Sequence, residues 1–304
     1  MSQKSQLIAS LHRASSHLGG AHLTRQTRDY TFTHFVEKMA EAGVTHLRGV
    51  TDIAGKQLRL YIALRQDDGV SVRTLQNEMA HLRAALRDAG RGTVADAKEL
   101  TNAALGIAGG SRIGTKDAIT PEAFIAAKDT AAAMERHGIA QVIALQRMFG
   151  LRANEAICAR ADTLQRWQRE VQASGKISVT AGTKGGRDRD VRVFDRSAAL
   201  DVLRAAHAVA QRQAGFLIVR ADGGSPGNLH NARGVYAAWC ERQELQTHAL
   251  RYAFAHGQYR AYRAQGFSHR ETLAALSKDL GHGDGRGRWV KMVYLRGMDA
   301  AEFD

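Results

Sequence analysis

The chain has 304 residues and 44% of them are hydrophobic, which suffices for two packed domains and excludes an intrinsically disordered protein. Lys and Arg number 43 against 30 Asp and Glu, so the formal net charge is +13 and a polyanionic partner, nucleic acid first, is favoured. No apolar run approaches the ~20 residues of a membrane-spanning helix, and no secretory signal is recognisable at the amino terminus. We therefore expect a cytoplasmic, nucleoid-associated protein without a membrane partner.

The cysteine and proline contents indicate a reduced, mainly helical protein. The two cysteines, Cys158 and Cys240, lie in apparently helical and partly apolar segments. Reduced structural thiols are therefore favoured over a disulfide. Only two prolines occur and amphipathic segments follow one another, so helix is predicted to dominate.

Residues 1–108 are predicted to form an independent bundle of four short helices. Residues 1–20 are polar, and a loosely held segment or a fraying helix is expected there. The four helices are predicted from Thr31 to Gly43, from Thr51 to Asp67, from Ser71 to Ala89 and from Val94 to Ile107. The third is predicted to place Val72, Leu75, Met79, Leu82 and Leu86 against a core, and Arg73, Arg83 and Arg87 outside.

Residues 109–117 break the helical pattern and separate two predicted domains. This segment is rich in Gly, carries Arg112 and Lys116, and has no apolar periodicity. Such a composition is typical of an exposed linker, and its two cations can lie against a phosphate backbone. The second domain is therefore predicted over residues 118–304.

The second domain opens with two predicted helices and a charged helix start. A helix is capped near Thr120, and an apolar helix ends at Gly150. The next helix begins with Arg152 and carries Glu155 on the same face. An arginine placed there can point its guanidinium at a phosphate while the carboxylate fixes the guanidinium plane.

Alternating apolar residues between Lys176 and Val193 predict a β-hairpin. Its turn, residues 183–187, carries Lys184 and Arg187. Helices are predicted from Ser197 to about Arg212 and from Gly227 to about Gln243. The second of these is expected to expose Arg233 and to enter a groove of nucleic acid.

Residues 247–295 hold four side chains suited to attack on a phosphodiester without a metal. His248 and Arg251 stand three residues apart at a helix start, so they share one face. His282 follows Leu-Gly at the end of a later helix, and Tyr294 lies in a short apolar run. A Gly-rich basic segment, residues 283–288, separates the last two, and a loop is expected to deliver Tyr294.

In this order along the chain, Arg152, Lys184, His248, Arg251, His282 and Tyr294 resemble the catalytic set of the tyrosine recombinases, the family of phage integrases and Xer-type resolvases. The resemblance implies a mainly α fold with a small β-hairpin, comprising a SAM-like core DNA-binding domain and an α+β catalytic domain. It implies cleavage of one DNA strand through a covalent 3′-phosphotyrosine, with no metal or other cofactor. The implied partners are a double-stranded DNA recombination site, a homo-tetramer on DNA that is a monomer or dimer when free, and accessory DNA-bending proteins.

The resemblance also implies a role for each residue. Two arginines, Arg152 and Arg251, would bind the nonbridging phosphate oxygens, with Glu155 in support. Tyr294 would attack phosphorus, and Lys184 would protonate the departing 5′ oxygen. His248 is expected to transfer the proton and His282 to hydrogen-bond the phosphate. The residues expected to contact DNA elsewhere are Arg73, Arg83, Arg87, Arg112, Lys116, Arg187 and Arg233.

Two other functions and several structural roles stay open. The same fold can serve as a catalytically idle DNA-binding architectural or regulatory protein, or as an enzyme similar to type IB topoisomerases. His248 can instead cap its helix, and Tyr294 can be a core aromatic. The sequence leaves open the target site, the type of rearrangement, and whether Tyr294 acts in cis or in trans.

Overall fold

The computed structural model describes residues 2–110, 116–220 and 224–303. The chain divides into two compact units, Met1–Ser111 and Arg112–Asp304. The predicted linker includes residues 111–115, so Arg112 lies outside the described residues. Within the described ranges, no helix combines the length and the apolar character needed to cross a bilayer.

The amino-terminal unit is helical. Its described helices are Gln3–His17 (α1), His22–Glu41 (α2), Gly55–Asp67 (α3), Val72–Asp88 (α4) and Gly92–Ala95 (α5), with 3₁₀ turns at Val50–Asp52 and Lys98–Leu100. Its core contains Leu11, Phe32, Phe35, Tyr61 and Met79, each at most 1% exposed. Tyr61 also donates a hydrogen bond to the buried Glu78 at 3.0 Å. The third predicted helix is confirmed as α4, capped by the Ser71 hydroxyl.

Residues 3–17 form a helix, the second of the two alternatives expected for this segment, and Leu7, Leu11 and Ala14 give it one buried face despite its polar composition. Three other expectations for this unit are wrong. The helix expected from Thr31 begins at His22. The helix expected from Val94 to Ile107 is broken into α5 and a 3₁₀ turn, and Val72, expected in the core, is 36% exposed.

The carboxy-terminal unit contains helices and one hairpin. The described helices are Pro121–Ala133 (α6), His137–Phe149 (α7), Ala153–Ile157 (α8), Ala161–Ser174 (α9), Arg196–Arg212 (α10), Leu229–Arg242 (α11), Thr247–Ala264 (α12), His269–Asp279 (α13) and Gly287–Tyr294 (α14). The α7 helix contacts α6, α10 and α12, and its apolar side chains form the centre of the core. A 3₁₀ turn at Ala300–Phe303 follows α14. Tyr294 is thus the last residue of a short helix, and the loop expected over residues 283–288 is shorter, because α14 already begins at Gly287.

The predicted hairpin is confirmed as an antiparallel pair, Lys176–Val179 (β1) and Arg189–Arg192 (β2), with Ile177 opposite Val191. Ile177, Val179 and Val191 are buried on one face, as alternation requires. A 3₁₀ turn at Lys184–Gly186 lies between the strands. The hairpin thereby carries Lys184 at its turn and Arg189 at the start of its second strand.

Candidate functional site

Arg152 is fixed at the start of α8 by Glu155, three residues later. One carboxylate oxygen of Glu155 accepts from the Arg152 backbone N–H at 2.6 Å. The other accepts from the Arg152 guanidinium at 2.7 Å. The same carboxylate therefore caps the helix and orients the guanidinium.

Arg189 holds Glu155 from the hairpin side. Its two terminal nitrogens donate to the two Glu155 oxygens at 2.5 and 2.8 Å, and its Nε donates to the Asp279 carbonyl at 2.8 Å. Burial acts to raise the pKa of Glu155, but the hydrogen bonds and charge of Arg189 outweigh it, so the pKa is lowered. Glu155 is thus ionised between two arginines. We call Arg152, Glu155 and Arg189 the buried ion cluster.

Arg251 leaves the first turn of α12 and is 1% exposed. Its Nε donates to the Tyr294 hydroxyl at 3.2 Å, and its terminal nitrogens donate to the carbonyls of Gly150 and Leu280. Burial lowers the pKa of Arg251 to about 10, which leaves the side chain protonated at neutral pH. A buried cation is thereby held by three protein oxygens.

Gly150 has a backbone conformation that this arrangement requires. Its φ of 58° ends α7 in the left-handed region, which favours glycine. A Cβ at this position would come within 2.2 Å of the Phe254 ring. The close approach of α7 to α12 brings the Gly150 carbonyl to Arg251.

The Leu280 carbonyl joins the two candidate phosphate-binding arginines. It accepts from Arg152 at 3.2 Å and also from Arg251. Leu280 caps α13, and Gly281 follows with a φ of 66°. The guanidinium groups of Arg152 and Arg251 therefore converge on one backbone oxygen.

Tyr294 is 3% exposed and lies against His282 and Arg251. The His282 Nε2 is 3.3 Å from the Tyr294 hydroxyl oxygen. Because the Arg251 Nε can only donate, that oxygen accepts its hydrogen bond and the phenol proton points to a neutral His282. Burial and the charges of Arg251 and Arg152 lower the pKa of His282 to about 3, so the ring is neutral at pH 7.

Aromatic rings surround the Tyr294 phenol. The ring centroid of Tyr252 lies 4.9 Å away and that of Trp289 lies 5.6 Å away. Trp289 also packs against His282, with 4.3 Å between ring centroids. These contacts hold the phenol and the imidazole in place together.

His248 stacks on Tyr294 but makes no hydrogen bond to it. Their ring centroids are 6.4 Å apart with 27° between the planes. His248 keeps an exposed edge, yet desolvation of its ring and the charges of Arg251, Arg152 and Lys116 lower its pKa. Lys116, an expected DNA contact, is therefore close enough to act on this histidine.

A cavity of about 490 Å³ opens beside these residues. Its described lining is Arg152, Lys184, Gly185, Arg187, Gly281, His282, Arg286 and Trp289. This lining contains four Arg or Lys residues and no carboxylate. Three of those cations are exposed, and we call Lys184, Arg187 and Arg286 the exposed cavity cations. The cavity therefore suits an anion, and all six candidate catalytic residues either line it or pack within the contacts described above.

The remaining expected DNA contacts differ in exposure. Arg73 is exposed, and so is Arg87, which pairs with Asp96. Arg83 was expected outside but is half-buried, because its guanidinium donates to Asn102 and to the Leu100 carbonyl. Arg233, also expected to be exposed, is half-buried, and its Nε has no hydrogen-bond partner.

Sequence reasoning missed Arg189, and a signal for it was present. In β2 the buried residue Val191 follows Arg189 by two positions, so both side chains leave from the same inward face. An arginine at an inward-facing strand position requires a buried acid as partner. Trp289 and Arg286 were missed because no local pattern indicates which cavity they line.

A profile described as "Integrase" matches residues 106–257, and one described as "Phage integrase, N-terminal" matches residues 4–95. The chain belongs to the tyrosine recombinase family. The integrase match includes Arg152, Lys184, His248 and Arg251 of this family member. His282 and Tyr294 follow the matched range, so their assignment depends on the contacts above. A comparison with curated proteins gave no match.

Solved structures of recombinases share the fold of the whole chain. The Tn1549 transposon integrase in complex with transposon right-end DNA is 14% identical, with a TM-score of 0.57 and coverage of 97% of this chain and 96% of that one. A lambda integrase tetramer bound to a Holliday junction is 14% identical, with a TM-score of 0.58 and coverage of 96% of this chain and 78% of that one. The XerH site-specific recombinase bound to palindromic difH substrate, a post-cleavage complex, is 15% identical, with a TM-score of 0.56 and coverage of 92% of this chain and 77% of that one. At these identities the likeness shows the tyrosine recombinase fold.

Proposed function

We propose that this protein is a site-specific DNA recombinase that cleaves and rejoins DNA through a covalent 3′-phosphotyrosine formed by Tyr294. The observation that carries the proposal is the placement of the Tyr294 hydroxyl between the Arg251 Nε at 3.2 Å and the His282 Nε2 at 3.3 Å. A phenol is a weak nucleophile until its proton has an acceptor and its oxygen lies in a positive field. These two contacts provide both conditions.

In the proposed reaction, the Tyr294 oxygen attacks phosphorus, a Tyr–O–P bond forms and the bond from phosphorus to the 5′ oxygen breaks. Arg152 and Arg251 bind the nonbridging oxygens, where negative charge concentrates. Lys184 gives a proton to the departing 5′ oxygen. Attack by a 5′ hydroxyl on the phosphotyrosine then reverses the step and rejoins a strand.

We assign proton transfer from the phenol to His282 in preference to His248. Only His282 lies within hydrogen-bond distance of the phenol oxygen among the described histidines, whereas His248 contacts Tyr294 through its ring face. A bound phosphate would raise the pKa of His282 from about 3, since a nearby anion favours the charged imidazolium. His248 is then left to hydrogen-bond the phosphate.

Phosphate binding requires a rearrangement of the contacts present here. Arg251 is 1% exposed, and the Tyr294 hydroxyl takes the Nε hydrogen bond that a phosphate oxygen would accept. The phenol must therefore shift from Arg251 towards phosphorus as the substrate enters. Since Tyr294 already contacts Arg251 and His282 of its own chain, we propose that it acts in cis.

The proposed substrate is double-stranded DNA, which a formal charge of +13 favours. We assign residues 1–108 as the core DNA-binding domain and 118–304 as the catalytic domain, with a homo-tetramer on DNA and accessory DNA-bending proteins as partners. The related structures are consistent with this assembly, because that of lambda integrase is a tetramer on a Holliday junction.

The test is covalent capture of DNA. The protein is mixed with a random-sequence library of duplexes that carry a nick, so that cleavage releases a short strand and traps the enzyme. Wild type is expected to form a denaturant-resistant complex, and Tyr294→Phe to form none because it lacks the attacking oxygen. Tyr252→Phe is the matched control, since it removes the hydroxyl group of a neighbouring tyrosine whose ring centroid lies 4.9 Å from that of Tyr294.

Three results would contradict the proposal. A covalent complex with Tyr294→Phe would refute the nucleophile. Binding of DNA without any covalent complex by the wild type would favour the idle DNA-binding protein. Relaxation of supercoiled DNA without strand exchange between sites would favour the topoisomerase-like enzyme. Sequencing the attached strand from a positive reaction would identify the target site.

A further inference from the structure

The segment between His282 and α14 places an additional cation at the candidate site. Residues 283–286 leave the end of α13, and Arg286 is the residue that precedes α14. Arg286 is exposed and lines the same 490 Å³ cavity as Arg152, Lys184 and His282. Its charge also acts on His282, whose pKa it helps to lower.

The contacts of this segment leave the Arg286 guanidinium without a protein partner. The start of the segment is held by the Ser277 hydroxyl, which donates to the Gly283 carbonyl at 2.7 Å. The nearest acid along the chain, Asp284, pairs with Lys278 at 3.1 Å. Within the part of the chain that the structure describes, the Arg286 guanidinium makes no hydrogen bond or ion pair, and no carboxylate lines its cavity.

Arg152 and Arg251 differ from Arg286 in this respect. Arg152 uses two guanidinium N–H groups on Glu155 and Leu280, and Arg251 uses three on Gly150, Leu280 and Tyr294. Arg286 keeps all of its donors for an incoming ligand. A guanidinium presents those donors in a planar fork that matches phosphate oxygens.

We propose that Arg286 is a further phosphate-binding residue of this recombinase, supplied by the long segment between His282 and Tyr294, and that it binds a DNA backbone phosphate in the cavity. The proposal rests on the proposed function, because it takes the cavity as the place where the DNA strand lies. The phosphate is either the cleaved one or a neighbour along the strand. Both have the same chemistry, and the experiment below distinguishes them.

Arg288 supplies a matched control. It lies two residues after Arg286, is exposed and carries the same charge, but it does not line the cavity. Arg288 lies in the first turn of α14, so Arg286→Ala and Arg288→Ala remove the same charge from neighbouring positions on either side of the start of that helix. A general loss of positive field would affect both variants equally, whereas a phosphate contact in the cavity would affect only the first.

The experiment measures DNA affinity at several salt concentrations, and covalent complex formation on a nicked duplex. Arg286→Ala is expected to lose on the order of tenfold in affinity, and the slope of log K against log salt is expected to fall by about one. Arg286→Lys should recover part of the affinity, because it restores charge without the fork. Arg288→Ala should stay close to wild type.

Duplexes with one neutral methylphosphonate locate the contact. The difference between wild type and Arg286→Ala should disappear when the bound phosphate is neutral, either at the cleavage position or at a flanking one. Arg286→Ala and Arg288→Ala behaving alike, or a difference that persists at every position tested, would overturn the inference. Absence of a covalent complex with wild type would instead count against the proposed function, so the two failures are distinguishable.

Discussion

The buried ion cluster and the exposed cavity cations meet at one cavity but are held in different ways. In the cluster, Glu155 is 1% exposed and accepts three hydrogen bonds from side chains plus one from the Arg152 backbone. The side chains of Lys184 and Arg286, in contrast, are exposed and make no hydrogen bond or ion pair among the described residues. The cluster is therefore held by contacts within the protein, whereas the donors of these two exposed cations stay open to a bound DNA strand under the proposed function.

The largest effect is expected from breaking the cluster. Arg189→Met should lower the free energy of unfolding by about 3–5 kcal/mol, because it leaves the buried Glu155 with one cation fewer. Single-turnover cleavage at saturating DNA should fall as well, since Glu155 no longer holds Arg152 in one orientation. Urea unfolding gives the first quantity and rapid-quench cleavage gives the second.

A double variant tests whether the loss of stability in Arg189→Met comes from the charge of Glu155 or from the loss of the arginine's packing. In Arg189→Met combined with Glu155→Gln, the carboxylate that has lost its Arg189 partner is replaced by a neutral amide, so the double variant should be more stable than Arg189→Met alone. Cleavage should stay low in both, because neither variant restores the contacts that orient Arg152. A double variant less stable than Arg189→Met would contradict this expectation and show that the remaining Arg152–Glu155 ion pair still stabilises the region.

An intermediate effect is expected from an exposed cavity cation. Lys184→Ala should leave the free energy of unfolding within about 0.5 kcal/mol of wild type, because the side chain is exposed on a turn. Cleavage should slow by about 100-fold or more, the usual contribution of a general acid. A substrate with sulfur in place of the departing 5′ oxygen needs no proton, so it should restore the rate. A loss that persists with sulfur would exclude this role.

The smallest effect concerns Asp279, which lies behind the cluster and accepts from Gln258 at 2.7 Å and from Tyr262 at 2.9 Å. Burial raises the pKa of its carboxyl despite these hydrogen bonds. A raised pKa in the folded state stabilises the protein at low pH, and this contribution is lost as the pH rises through the folded-state value.

Wild type should therefore lose stability relative to Asp279→Asn as the pH rises above about 4, the usual value for an aspartate, in urea unfolding at each pH. A stability difference between wild type and Asp279→Asn that is constant with pH would contradict the expected titration.

The spacing of apolar residues along the chain correctly predicted several helices and the hairpin, because in those elements the spacing alone shows which face is buried. The apolar helix ending at Gly150, the charged start at Arg152 and the alternation around Ile177 all correspond to elements of the structure. For the first helix the sequence left two alternatives open, because its apolar face is narrow, with Leu7 and Leu11 among polar residues. The helix predicted from Val94 to Ile107 fails because the backbone leaves the helical region at Ala97, with a ψ of 137°, and again at Thr101, with a ψ of 155°.

The sequence predicted which residue types form the candidate site, but it did not predict which of their side chains contact one another. The order of arginines, histidines and tyrosine pointed to one centre, but no spacing in sequence tells which histidine reaches the Tyr294 oxygen. Packing of α13 against α14 decides that His282 lies at 3.3 Å while His248 meets the ring face. The roles expected for the two histidines are exchanged in our proposal for this reason.

The Leu280 carbonyl accepts from both Arg152 and Arg251 and precedes the long segment that leads to Tyr294. A peptide oxygen persists whatever side chain stands at that position, so point substitutions at residue 280 cannot delete this anchor. Because the anchor comes before residues 283–286, that segment can lengthen or shorten during evolution without displacing either guanidinium. Members of this family can therefore vary the segment that precedes the tyrosine while the two candidate phosphate-binding arginines stay in place.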